Sequence, residues 1–369
     1  MQSGAPGDDL RQAAKASSLR SRLLLVIAAA ALFWLLREAY PVLMPAVTAL
    51  LLALGVWPLV AAIRDRVPRP MRWLGPMAGS LLVLAILIAF FAGVGFAARS
   101  VYRLARDIGP QLGARLENLP LALPGPFGAG AGGAREEGLA IGSQLASSAL
   151  TLLNLTASTL GGIVLILFLM LLMLTEAPSF HAKLRSISDR RRDAQVWRDI
   201  GRSVGAKFRA YFITRLLLGV LSGLLYAGFL MVSGVDYVLL WGLLTVLLSF
   251  IPTVGSLISG TLPTIYVFVT RDPATALMVG AGLLVIEQVI GNFVDPRIMG
   301  RRLAISPLAV LLALVFWTLL WGVAGALLAV PLTVLVTAVM IHFERFRPVA
   351  LLLTDHEDLE ELERFGDTA

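Results

Sequence analysis

The sequence predicts an all-α polytopic membrane protein, with about six full spans and two broken, re-entrant helical hairpins. Three observations lead there. First, 57% of the 369 residues are hydrophobic and only 15% are charged, with a mean hydropathy of +0.82. A soluble domain carries about 25% charged residues. Second, apolar runs of about 20 residues follow one another, the length a helix needs to cross hydrocarbon. They are continuous rather than alternating, which argues against a β-barrel. Third, two runs, Tyr237–Thr270 and Ser306–Ile341, are too long for one span and are interrupted by Pro and Gly.

Taken in order, residues 1–19 are polar and expected to be disordered, and no cleavable leader is predicted. Spans 1 to 3 occupy 20–98. Span 1 has its core at Leu23–Leu36 and is followed by a tight turn at Arg37–Pro41. Span 2 covers 42–62 and contains Pro45 and Pro58; span 3 covers 75–98. Segment 99–150 holds five Arg against four acids around a Pro/Gly-rich centre. It is expected to form two amphipathic helices outside the hydrocarbon. Span 4 lies within 151–180, with Asn154 and Thr156 near its start. Residues 181–209 carry nine Lys/Arg against three Asp and predict a helical cytoplasmic surface segment that meets anionic lipids. They lack interleaved aromatics, so nucleic acid is not the expected partner. Span 5 covers 211–232 and a further span 274–294. The two long runs complete a transport core over 211–345. The tail, 346–369, is acidic.

Orientation follows the excess of Lys and Arg on cytoplasmic loops. The excesses at 11–22, 64–72, 183–209 and 297–302 fall on one side if the N-terminus is cytoplasmic and each long run folds back as a hairpin. Span 5 with the first hairpin, and span 274–294 with the second, then form an inverted repeat. Such repeats place a solute site near the midplane.

The most polar interruption of the second half is GNFVDPRIMGRR at 291–302. Pro296 lacks an N–H and restricts the residue before it, so a helix break is expected here. With FIPTVGSLISGTLP at 250–263 and VFWTLLWGVAGALLAVPLT at 315–333, this stretch closely resembles the autoinducer-2 exporter family, the PerM-like permeases. The resemblance covers about 20–345. Other branches carry an acid where this chain has Ile290. The resemblance implies a bacterial inner-membrane transporter and a homo-oligomer, a pentamer. It leaves the solute open, since some relatives act as sodium/proton antiporters.

Candidate translocation residues follow from the cost of polar groups in hydrocarbon, about 2.5 kcal/mol or more for a charge. Glu287 is a proton or cation relay, an acceptor for a hydroxylated solute, a structural partner of Arg215 or of a surface Arg, or a carboxylate snorkelling toward the cytoplasmic interface. Asn292 binds solute hydroxyls, caps a helix or makes a helix–helix hydrogen bond. Asp295 and Arg297 form either a cytoplasmic gate or a turn; Arg301 and Arg302 are read as anchors. Pro252, Gly255 and Gly260 break the first hairpin and would open backbone groups to a polar ligand. Gly322 and Gly325 do the same in the second.

There is no Cys, and no hydrolase, nucleotide-binding or metalloprotease signature occurs in a usable context. No enzyme activity, cofactor or metal is therefore expected, and His181, His342 and His356 are scattered. The expected partners are a small-molecule solute and a coupling proton or sodium ion. Export of a small polar organic solute by alternating access is the leading reading. A sodium/proton antiporter is the alternative within transport. A membrane scaffold using 99–150 as its binding module is the alternative of another class.

Overall fold

A computed structural model describes residues 23–24, 26–28, 30–118, 140–144, 146–148, 150–151, 160–187, 191–299, 306–341 and 344–354. The expectations for Asn154, Thr156, Arg301, Arg302, His342, His356 and the acidic residues from 355 lie outside these. So does the side chain of His181.

The helices run α1 (30–38), α2 (Tyr40–Arg66), α3 (Leu74–Asn118), α4 (140–144), α5 (Leu160–Ile187) and α6 (Arg191–Val232). They continue as α7 (Val238–Leu248), α8 (Val254–Thr270), α9 (Pro273–Val289), α10 (Asp295–Met299), α11 (Pro307–Ile341) and α12 (Arg347–Leu353). Among the described residues, five helical stretches are long and apolar enough to cross a membrane: Tyr40–Arg66, Leu74–Ile108, Ile200–Val232, Pro273–Val294 and Pro307–Ile341. Gly161–Ala177, α7 and α8 are shorter and equally apolar. Large apolar side chains cover the outside, for example Leu224, Met231, Leu284 and Val285, each more than 60% exposed. Lipid, not water, matches such a surface.

The three largest packing centres among the described residues join the helices of the bundle. Helices α2, α3 and α5 meet around Ala49, Val60, Val83 and Met170. Helices α2, α6 and α11 meet around Leu51, Val204, Phe208 and Leu332. Helices α3, α6, α7, α8 and α9 meet around Tyr226, Leu240, Val267 and Leu283. Between α6 and α7 the backbones touch: a Cβ on Gly223 would sit 2.6 Å from the Gly242 carbonyl oxygen. Such close approach is how helices bind one another where burial of apolar surface gives no driving force.

Several boundaries differ from expectation. The turn at 37–41 narrows to Ala39 (φ −76°, ψ 4°). The Ala39 N–H donates to the Leu35 carbonyl at 2.9 Å, and the Leu43 N–H to that of Ala39 at 2.8 Å, so helical bonding enters and leaves it. Span 3 does not stop near 98. Helix α3 continues to Asn118, so the first part of 99–150 belongs to the same helix as span 3. From Arg191 the basic segment 181–209 is likewise continuous with span 5 within α6, while its residues 181–187 end α5. Its second half is not a surface: Ile200, Val204 and Phe208 are in the core. Lys207 is buried, and Arg209 reaches the carbonyls of Leu54 and Gly55 at 3.4 Å.

Both long runs are folded back. In the first, α7 and α8 lie antiparallel, with Trp241 against Tyr266 (ring centroids 5.7 Å apart). In the second, α11 leaves helical geometry at Trp321 (φ −128°, ψ 17°) and Gly322 (φ 61°, ψ −141°). The Trp317 indole N–H donates to the Thr333 hydroxyl at 3.1 Å. Sixteen residues apart in a straight helix would be about 24 Å, so the chain has reversed.

Candidate functional site

Each hairpin closes on a glycine. A Cβ placed on Gly255 would fall on the Leu248 carbonyl oxygen, and one on Gly325 on the Trp317 carbonyl oxygen, both deep inside van der Waals contact. Gly255 and Gly325 are buried, and a proline, Pro263 or Pro331, lies in each returning limb. Gly322 is exposed and supplies the positive φ that reverses the chain. The two tips touch: Ile251 of the first packs on Leu314, Ala326 and Ala329 of the second.

The first tip does not open its backbone as expected. Its carbonyls find partners within the protein. Leu248 accepts from the Ile251 N–H and Ile251 from the Gly255 N–H, both at 2.9 Å; Pro252 accepts from the Val254 N–H at 2.7 Å. Phe250 accepts from the Tyr211 hydroxyl at 3.2 Å. Pro252 and Gly255 therefore shape a closed tip. The closure has a physical cause, since unsatisfied groups in hydrocarbon cost several kcal/mol each.

The helix break expected at 291–297 is also absent. Ile290–Val294 form a π turn, and the Asp295 N–H donates to the Ile290 carbonyl five residues back. The extra residue carries the chain past Pro296 into α10, and such turns concentrate at functional sites. Asn292 is thus not a helix cap. Its amide donates to the Gln288 side-chain oxygen at 2.6 Å, on the exposed face.

Charge pairing differs from both sequence readings. Asp295 Oδ2 lies 3.6 Å from Arg215 Nη1 on α6, the ion pair found among the described residues. Arg297 is exposed. Arg215 is held inside the protein: its guanidinium also sits 5.7 Å from the Tyr211 ring centroid. Its backbone carbonyl lies 3.5 Å from the Ser249 hydroxyl at the first tip. Asp295 is thereby tied through Arg215 and Tyr211 to the tip of the first hairpin.

Glu287 is not paired with Arg215. Half-buried on α9, its Oε2 accepts from the Tyr226 hydroxyl of α6 at 3.3 Å. Gly260 of α8 faces the same hydroxyl, 3.5 Å from where its Cβ would be. Ser259, 3% exposed, stands beside them. Glu287 and Gly260 therefore share one polar spot inside an apolar layer. Tyr226 was the residue missed. A tyrosine in the middle of an apolar span is the signal, because its hydroxyl needs a partner when buried.

These features define a multi-pass helical membrane protein in which two helical hairpins meet and α6 makes polar contacts to the first hairpin, to α9 and to α10. The chain belongs to the AI-2E transporter family, whose model matches residues 23–345. It is 31% identical over 331 residues to the AI-2 transport protein TqsA of Escherichia coli, covering 87% of this chain and 91% of that one. It is also similar to the putative transport protein YhhT of E. coli, 39% identical over 33% of this chain and 35% of the relative. A third relative is the putative transport protein YrrI of Bacillus subtilis, 33% identical over 43% of each chain. The protein is a membrane transporter, since its family is one of transporters.

Proposed function

We propose that the protein is a secondary exporter of the bacterial cytoplasmic membrane, with its N-terminus inside. It would carry a small polar organic solute, such as the signal in the name of its relative TqsA, by alternating access. The pair of opposed hairpins carries this reading. The eleven residues of α7 rise about 16 Å and the outgoing limb of α11 about 21 Å, both short of the roughly 30 Å of hydrocarbon. Two chain reversals at that depth, meeting at Ile251 and Ala326, give two bodies that rock about one site. They also support the inverted repeat.

In this scheme Asp295 and Arg215 form the inner gate, with Arg297 at its exposed side. Glu287 lies about 12 Å deeper along the helix. Its carboxylate and the Tyr226 hydroxyl offer an acceptor and a hydroxyl to a hydroxylated solute or to a coupling proton. The buried Gly255 and Gly325 and the exposed Gly322 set the shape of the tips rather than touch solute. Self-association as a pentamer belongs to the same proposal.

Flux into and out of proteoliposomes tests it. Efflux of the signal that fails on Asp295→Asn but is untouched by a sodium gradient supports the exporter. Sodium-driven proton movement abolished by Glu287→Gln favours an antiporter instead, a reading that the half-buried carboxylate also supports. No solute movement under any gradient sinks both. Because the chain has no Cys, one introduced at position 272 reports topology cleanly. Labelling from the cytoplasmic side alone would overturn the orientation.

A further inference from the structure

At the end of α6 remote from Arg215, about 25 Å along the helix at Val232, a cavity of about 550 Å³ opens between α3, the α6–α7 loop and the end of α8. Its polar lining is Asp107, Gln111, Asp236, Tyr237, Tyr266 and Thr270. We infer that this cavity binds a small organic ammonium cation, a ligand distinct from the exported solute.

Three observations carry the inference. First, the hydroxyl donors of the lining are already used. The Tyr237 hydroxyl donates to Asp107 Oδ2 at 2.6 Å. The Tyr266 hydroxyl reaches Asp236 Oδ2 at 3.5 Å, and Thr270 donates to the Tyr266 carbonyl at 2.9 Å. What remains toward the cavity is mainly acceptors, the carboxylate oxygens with their further lone pairs. A ligand must bring donors.

Second, the charge is one-sided. The lining holds two carboxylates and no cation, and neither has a basic group within salt-bridge distance among the described residues. The nearby arginines, Arg103 and Arg271, reach Tyr237 and Tyr266 through charge alone and place their donors elsewhere. Arg271 donates to the carbonyls of Ser233 and Gly234, and Arg103 to the Ser100 hydroxyl at 3.4 Å. Third, the walls are aromatic. Tyr237 and Tyr266 stand edge to face with centroids 6.0 Å apart, and Trp241 backs Tyr266. An organic cation gains from such faces as well as from the carboxylates. The volume suits a molecule rather than a bare ion, and no group of three or more metal-ligating side chains occurs among the described residues.

Isothermal titration of the full-length protein in nanodiscs tests this, with putrescine as probe and 1,4-butanediol as its uncharged counterpart. Putrescine is expected to bind and butanediol not. Asp107→Asn and Asp236→Asn, which keep an acceptor for each tyrosine hydroxyl, should each weaken putrescine at least tenfold with the unfolding midpoint unchanged. Equal binding of butanediol overturns the assignment, as does affinity that survives both substitutions, or no binding of putrescine at all. Binding is read without flux, so its failure leaves the exporter reading standing, and the reverse also holds.

Discussion

Arg215 and Asp295 are joined by a single contact, Nη1 to Oδ2 at 3.6 Å, with side chains 18% and 25% exposed. Arg215 Nε and Asp295 Oδ1 are buried with no hydrogen-bond partner in the protein. A fully formed bidentate pair would use both forks and be hard to part. This one is held closed but weakly, as the proposed gate requires. Asp295→Asn leaves a largely enclosed guanidinium without its counter-charge, and is expected to cost about 1–3 kcal/mol. Arg215→Gln should cost a similar amount, and the double variant less than the sum. Thermal unfolding of the three variants in one detergent measures that coupling. Additive costs would remove the gate from the mechanism.

The hairpin glycines give a contrast within one residue type. At Gly255 and Gly325 a methyl group meets a backbone carbonyl, which cannot rotate away. Alanine at either is expected to destabilise by about 3 kcal/mol, the upper end for overpacking. Gly322 has open space around it but φ of 61° with ψ of −141°, a conformation that only glycine adopts readily, so Gly322→Ala should cost only the backbone term, about 1–3 kcal/mol. Gly291 has neither obstacle, and Gly291→Ala should be neutral or stabilise by up to about 1 kcal/mol. Denaturation midpoints of the four variants order them.

Much of this core is readable in the sequence, for definite reasons. Pro252 with Gly255, and Gly322 with Gly325, punctuate long apolar runs, and punctuation inside hydrocarbon has few structural meanings. Partners were not readable. Whether Glu287 meets Arg215 or Tyr226 depends on how α6 and α9 are rotated against each other, which a one-dimensional pattern does not hold. Pro296 misleads for another reason: the π turn at Ile290–Val294 absorbs the break that a proline ordinarily makes. At residue 98 hydropathy changes without a breaker, so α3 runs on where a boundary was expected.

Tyr226 is 1% exposed, and its hydroxyl meets Glu287 at 3.3 Å. Tyr226→Phe removes one long hydrogen bond and little volume, so the expected loss of stability is about 1 kcal/mol. The effect on transport should be larger than that, because Glu287 loses the group that orients it. Glu287→Gln keeps an acceptor for the hydroxyl and should be nearly neutral for folding. Flux and unfolding measured on the same preparations separate the two roles. A fall in flux that only tracks the loss of folded protein would leave Tyr226 a packing residue.

Asp272 begins α9 as its N-cap, outside the apolar spans. Its carboxylate accepts from the Thr275 hydroxyl at 2.6 Å and from the Thr275 N–H at 2.9 Å. Those two bonds, the hydroxyl first, hold its pKa below the usual carboxylate value. A depressed folded pKa means the charged cap favours the folded form at neutral pH, where it is fully present above the ordinary carboxylate pKa. The contribution is lost as pH falls through the lower folded value. Hydrogen exchange at the Thr275 amide is therefore expected to be slow at neutral pH and to gain opening as the carboxyl is protonated. Asp272→Asn should keep the cap, since Asn serves as well at this position, but lose the acid dependence. Asp272→Ala should expose the first turn of α9 at every pH. If the alanine and aspartate forms protect Thr275 equally at neutral pH, the α8–α9 turn is held by Arg271 on Ser233 and Gly234, not by the cap.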